Sequence, residues 1–282
     1  MKNQMMPEAP IGVFDSGLGG LTVVRELRRA LPKEKIVYFG DIARLPYGIK
    51  SESQIRNFSC ENTEFLLHRN VKAIVIACNS SSSAAYSFLK SRFPLPIIDV
   101  IRPAAEWAVQ ATRNRKIGVM ATQATVASDA YRKAIAKLDK NVHVFSHACP
   151  LLVPFVEEGI LEGSLIESVL SRYLKPLMKR KMDTIILGCT HYPLLRKTIQ
   201  KLVGIKVKLI DSAPAAVSEL KEILTEQHGF SKQKGKGSFQ VFVSDLPGSF
   251  LNIGSKFLGE PLNDVKVVRF KYEITKNGKW VL

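Results

Sequence analysis

The chain reads as an α/β protein built from two similar three-layer α/β/α domains with mostly parallel sheets, and three observations predict it. Short β-branched runs alternate along 282 residues with amphipathic stretches of helical length, the rhythm of parallel strands covered by helices on both faces. Two strand-to-turn segments, Ile74-Val75-Ile76-Ala77-Cys78-Asn79-Ser80 and Ile185-Ile186-Leu187-Gly188-Cys189-Thr190-His191, share one design, an apolar run ending in a cysteine and then polar side chains. A second matched pair, Ile11-Gly12-Val13-Phe14-Asp15-Ser16 and Ile117-Gly118-Val119-Met120-Ala121-Thr122, ends each run in a small hydroxyl side chain. The offsets nearly agree, with Gly12 to Gly118 about 106 positions and Cys78 to Cys189 about 111. Two halves related by a pseudo-two-fold axis, with the active site in the cleft where their strand ends meet, account for all three, because ligands of α/β sheets sit at the carboxyl ends of strands.

Strands are predicted at Ile11 to Phe14, Ile36 to Phe39, Val71 to Ala77, Ile97 to Ile101, Lys116 to Met120, Val142 to Phe145, Thr184 to Leu187, Val207 to Ile210 and Phe239 to Val243. Between them, Leu21 to Leu31, Ser51 to Asn70, Leu161 to Lys181 and Ala213 to Gln227 have helical spacing and length. Pro94, Pro96 and Pro103 break the pattern near residue 100, and Asp211-Ser212-Ala213-Pro214 breaks it again. These breaks divide the chain into a discontinuous first domain, residues 1–102 with 212–282, and a second domain, residues 103–211.

An apolar content of 46% supports real cores, and no run approaches the ~20 apolar residues that cross a bilayer. Met1 to Pro10 lacks the apolar stretch of a signal peptide, so the chain reads as cytoplasmic with no membrane partner. Four cysteines, Cys60, Cys78, Cys149 and Cys189, form no CxxC pair and read as reduced thiols without a metal site. The net charge of +16 raises nucleic acid as a partner. However, the densest basic groups, Lys175 to Lys181, Lys197 to Lys208 and Ser231 to Gly237, lack interleaved aromatic residues, which favours a solvated basic surface and leaves nucleic acid an unlikely but open partner.

Asp15-Ser16-Gly17-Leu18-Gly19-Gly20 follows a strand and opens a helix, a setting for a small anion such as a carboxylate or for a tight turn without ligand. It is neither a Walker loop nor a dinucleotide fingerprint. Cys78, with Asn79 and Ser80-Ser81-Ser82-Ser83 after it, stands at a helix start that can stabilise a thiolate. Cys189 is followed by Thr190 and His191, a proton partner, and then by Tyr192-Pro193 opening another helix. A Cys–His hydrolase is the rival chemistry, yet it needs a single thiol. Two thiols on opposite faces of a planar carbanion are what inversion of a stereocentre requires. Cys60 reads as helix packing, Cys149 before Pro150 reads as structural, and His68, His143 and His147 have no ligand-like partners.

Taken in order, Asp15 to Gly20, Leu45-Pro46-Tyr47-Gly48, Ala77-Cys78-Asn79, Cys149-Pro150 with Glu157-Glu158-Gly159, Leu187 to Pro193 and Ser244 to Gly259 resemble the motif series of the cofactor-independent glutamate racemases, across about residues 11 to 265. The resemblance implies interconversion of L- and D-glutamate without cofactor or metal, supplying peptidoglycan biosynthesis and hence cell-wall biogenesis and cell shape, in a homodimer. It implies Cys78 as the base for D-glutamate, backed by Asp15, and Cys189 as the base for L-glutamate, backed by His191. It implies substrate contacts at Asp15, Ser16, Tyr47, Gly48, Asn79, Ser80, Thr122, Thr125, Thr190 and His191, with one of Glu157 and Glu158. One departure is Ser80, where the family usually has Thr. The hydroxyl is kept, and the missing methyl, worth on the order of 1 kcal/mol if buried, bears on selectivity between glutamate and aspartate.

Overall fold

The computed structural model describes residues 5–246, 248 and 250–269, together with the backbone of 273–274 and 280–281. The ends of the expected first domain beyond these limits, and Pro247 and Ser249 within the 244–259 motif, lie outside the described residues.

The nine expected strands all form. The first sheet contains β1 (Ile11–Asp15), β2 (Ile36–Gly40), β3 (Ala73–Ile76), β4 (Ile97–Asp99), β9 (Phe239–Val243) and β10 (Val265–Val267), in the order β10-β9-β2-β1-β3-β4, and every pairing is parallel. The second contains β5 (Lys116–Ala121), β6 (His143–Ala148), β7 (Thr184–Gly188) and β8 (Lys208–Asp211), in the order β6-β5-β7-β8, again all parallel. The order 2-1-3-4 of the first sheet recurs as 6-5-7-8 in the second, so the sequence repeat is a repeat of topology. β10, Val265-Lys266-Val267, is three residues long, too short an alternation to read as a strand. A two-stranded antiparallel pair, β11 (Glu273–Ile274) with β12 (Trp280–Val281), stands apart from both sheets.

Strand residues alternate between faces, and both faces are apolar, as buried parallel strands require. On β1, Ile11 and Val13 enter one core while Phe14 enters another, and on β7 Ile185 and Leu187 part from Ile186 in the same way. The first of these cores is continuous through both sheets. It takes in α1 (Leu21–Ala30), α8 (Ser164–Lys179), α9 (Arg196–Val203), α10 (Ser212–Glu226) and α11 (Phe250–Leu258). The outer face of the first sheet is covered by α2 (Glu52–Leu67) and α3 (Asn79–Arg92), and that of the second by α4 (Arg102–Ala111) and α6 (Ala130–Leu138). Two short helices complete the chain, α5 (Gln123–Ala127) and α7 (Leu152–Glu157). Where a helix was expected to open at Tyr192-Pro193, a 3-10 turn over Tyr192–Leu195 leads into α9, since Pro193 suits a first turn.

Helix starts are marked by side-chain caps that satisfy free N–H groups. Ser51 Oγ accepts from Gln54 N at the start of α2, and Asp211 from Ala213 N at the start of α10. The caps of α3 and α5 are Cys78 and Thr122. A buried ion pair, Lys72 Nζ to Glu34 at 2.5 Å, ties the entry to β3 to the turn before β2. Lys72 also donates to the carbonyls of Pro7 (2.6 Å) and Gly229 (2.8 Å), which satisfies a charge that burial would otherwise penalise.

Candidate active site

The carboxyl ends of β1, β3, β5, β6 and β7 converge on a cavity of about 360 Å³ walled by residues of both sheets' loops. A larger hollow of about 690 Å³ opens among α3, α4, α6 and α10, but it contains neither Cys78 nor Cys189.

β3 ends one residue short of Ala77, and Cys78 then caps α3, its sulfur accepting from Ser81 N at 3.5 Å. The thiol donates to Ser16 Oγ at 3.6 Å. Asp15, at the end of β1, is fully buried. Its Oδ2 accepts from Gly17 N (2.9 Å) and its Oδ1 from Thr190 Oγ1 (3.5 Å), so it joins the turn after β1 to the Cys189 turn. Burial pushes the Asp15 carboxyl up, against the charge of His191 and the amides of Gly17, Gly20 and Ser16. Burial, and then the charge of Asp15, push the Cys78 thiol up to about 11. Asp15 makes no hydrogen bond to Cys78 and acts on it through its field.

The Cys189 turn differs. His191 Nδ1 lies 3.9 Å from Cys189 Sγ and 3.4 Å from Thr190 Oγ1, while Nε2 meets Glu157 Oε1 at 3.0 Å. The ring stands edge-on to Phe257 with centroids 5.1 Å apart. Burial disfavours the imidazolium, but Cys189 and Glu157 overcome it and raise His191 to about 10. At neutral pH, Cys78 is therefore a neutral thiol beside Asp15, whereas Cys189 faces an imidazolium.

Gly19 permits the approach of the two turns. A Cβ there would stand 2.3 Å from Thr190 Oγ1 and 2.6 Å from His191 Nδ1. Asn79 Nδ2 donates to Tyr131 OH at 2.8 Å, and Asn79 Oδ1 is buried without a partner. Ser80 and Thr122 share a hydrogen bond of 2.9 Å. Both links run from α3, on the first sheet, to elements of the second. The Tyr47 hydroxyl donates to Asp41 and accepts from Asn62 Nδ2 at 3.2 Å, which fixes the ring in the cavity wall.

Of the residues singled out from sequence, Ser16, Tyr47, Gly48, Cys78, Asn79, Ser80, Thr122, Glu157, Cys189, Thr190 and His191 line the cavity. Thr125 does not. It lies buried under Thr122, its hydroxyl accepting from Thr122 Oγ1 at 3.1 Å and its N–H donating to that oxygen at 3.3 Å. Glu158 is exposed and points away, so Glu157 is the member of the pair at the cavity. Cys149, expected to be structural, is fully buried; it follows β6 as Cys78 follows β3 and stands in the wall with Pro150 and Val153. Its strand-end position was the available signal, hidden by the apolar residues after it. Burial raises that thiol to about 12. Tyr131 had no sequence signal, since a buried aromatic on a helix reads as packing. Among the described residues no three His, Cys, Asp or Glu side chains converge as a metal ion would need, and no described helix is long and apolar enough to cross a membrane.

Residues 11–220 match the family model of the Asp/Glu/hydantoin racemases. The glutamate racemase of Geobacter metallireducens is 42% identical over 95% of this chain and 99% of its own length, and that of Syntrophus aciditrophicus is 44% identical with the same coverage. Among solved structures, glutamate racemase from Francisella tularensis in complex with D-glutamate matches 93% of this chain and 98% of its own with a TM-score of 0.88 and 39% identity. A Bacillus anthracis glutamate racemase matches over the same shares with a TM-score of 0.90, also at 39% identity. Two matched α/β halves, a shared cleft and these similarities lead to one conclusion: the chain belongs to the Asp/Glu/hydantoin racemase family and is an amino-acid racemase.

Proposed function

We propose that this racemase interconverts L- and D-glutamate without a cofactor, using Cys78 and Cys189 as its two acid–base groups. The observation that carries the reading is the pair of cysteines from matched strand ends in one 360 Å³ cavity, each with a different charged neighbour. The D-glutamate named for the Francisella tularensis structure supports glutamate as the substrate.

Cys189, as a thiolate paired with the His191 imidazolium, takes the α-proton of L-glutamate. The C–H electron pair passes into the α-carboxylate, giving a planar dianionic carbanion. Cys78 donates its S–H proton to the opposite face, which yields D-glutamate and leaves Cys78 as the thiolate. The reverse reaction begins from that state. The resting enzyme is thus set for the L-enantiomer, because burial, and then Asp15, keep Cys78 protonated while His191 is cationic. Donors at Ser16, Asn79, Ser80 and Thr190 stabilise the developing charge once the cavity closes on substrate and excludes water. Glu157 orients His191. Thr125 acts through Thr122, whose hydroxyl it holds against Ser80.

The two sheets serve as the cores of two domains, residues 1–102 with 212–282 and residues 103–211, which close on substrate. The product feeds peptidoglycan biosynthesis in the cytoplasm, and the enzyme acts as a homodimer. Incubation of L-glutamate in deuterated water is expected to give D-glutamate with deuterium at Cα, and Cys78→Ala or Cys189→Ala is expected to abolish it. Retention of racemisation in either variant would refute the two-thiol mechanism. A panel including aspartate tests the substrate, and sedimentation tests the dimer.

A further inference from the structure

The serines after Cys78 are not equivalent. Ser80 Oγ pairs with Thr122, Ser82 Oγ donates to Ile76 O (3.1 Å) and accepts from Val100 N (3.3 Å), and Ser83 Oγ donates to Ser80 O (2.8 Å). Ser81 is fully buried, and its hydroxyl has no hydrogen-bond partner. Such a group normally carries a penalty that removal of its oxygen would relieve. Yet the backbone N–H of the same residue donates to Cys78 Sγ at 3.5 Å, so the unpartnered hydroxyl belongs to a residue that already touches the sulfur. We infer that Ser81 is a positioning residue for Cys78, its hydroxyl donating a hydrogen bond to the sulfur when Cys78 becomes a thiolate.

The electrostatics agree. Asp15 from the end of β1 and Tyr38 from β2 are the titratable groups facing Cys78. Tyr38 donates its proton to Gly17 O at 2.7 Å and stays neutral, so Asp15 is the adverse charge. Against it stand the Ser16 hydroxyl and the Ser81 N–H and hydroxyl, all favouring the ionised sulfur. Without them a carboxylate and a thiolate in one buried site would strongly oppose each other. Cys189 obtains this support from an imidazolium, and Cys78 obtains it from neutral donors.

The inference rests on Cys78 acting as a base, and its test is read at the sulfur itself. Iodoacetamide alkylation between pH 7 and 10, followed for each cysteine peptide by mass spectrometry, reports the thiolate fraction because the thiolate is the nucleophile. Ser81→Ala is expected to slow alkylation of Cys78 about tenfold, one pKa unit, while Cys189 stays unchanged and the melting temperature does not fall. Ser83→Ala, whose hydroxyl bonds only backbone, is expected to leave Cys78 at the wild-type rate. The kcat/KM for glutamate should fall equally in both directions, because the equilibrium constant of a racemisation is one. A Cys78 rate within twofold of wild type, or equal slowing at Cys78 and Cys189, overturns the inference. Wild-type racemisation is measured alongside, so an active wild type with an unmoved Cys78 refutes only Ser81, whereas an inactive wild type refutes the racemase reading.

Discussion

Exchange of Glu157 for glutamine removes one charge from His191 and keeps the shape of the contact. Glu157 Oε1 lies 3.0 Å from His191 Nε2, with side chains 28% and 7% exposed, so solvent screens the pair little. A hydrogen bond to a charged group contributes about 1.5–3 kcal/mol, and about 1.4 kcal/mol corresponds to one pKa unit. Glu157 favours the protonated imidazole, so its loss lowers the pKa, from about 10 to ~8–9 in the variant. His191 is then still cationic at pH 7, and kcat/KM there should change little. At pH 9 the cationic fraction falls, and kcat/KM should drop about two- to tenfold, with the alkaline limb moving down by about one to two pH units. Polarimetric racemisation assays across pH 6–10.5 read the limb, and nitrogen NMR of histidine-labelled protein reads His191 directly among 5 histidines. An alkaline limb and a His191 titration both at their wild-type positions would refute the role assigned to Glu157.

Other perturbations test other parts of the architecture. Gly19→Ala puts a methyl on Thr190 and His191 and is expected to cut racemisation about a hundredfold with little change in melting temperature; wild-type activity would contradict the close approach of the two turns. Tyr131→Phe removes the acceptor of Asn79 Nδ2 across the two halves, and should raise the KM for glutamate several-fold and lower stability by about 1–3 kcal/mol in urea melts. Lys72→Met leaves Glu34 buried and uncompensated, so urea denaturation should report a loss of about 3–5 kcal/mol with activity per folded molecule unchanged; the double change Lys72→Met with Glu34→Leu should recover most of it.

Several of these residues were visible in the sequence and others were not, for physical reasons. Strand-end position after a β-branched run marked Cys78 and Cys189, and the glycine-rich turn after β1 marked Asp15 and Ser16, because local pattern dictates where a strand ends. The same rule applied to Cys149, but the apolar residues after it matched a packing motif equally well. Gly19 was legible as a turn glycine, yet its need to be glycine comes from Thr190 and His191, far along the chain. Glu157 and Glu158 are adjacent and chemically alike, so only the helical phase of α7 against the Cys189 turn separated them. Thr125 shared a family pattern with the contact residues and proved to support Thr122 from below.

The paired cysteine turns, the alternation of strands and helices and the repeat of one half in the other were determined by sequence alone, since each depends on periodicity and order along the chain. Only the tertiary structure decided which distant groups act on each thiol's neighbour. Asp15 reaches Thr190 across 175 positions, and Glu157 reaches His191 across 34. Burial then amplifies those contacts, because charges withdrawn from water interact over distances that no local pattern encodes.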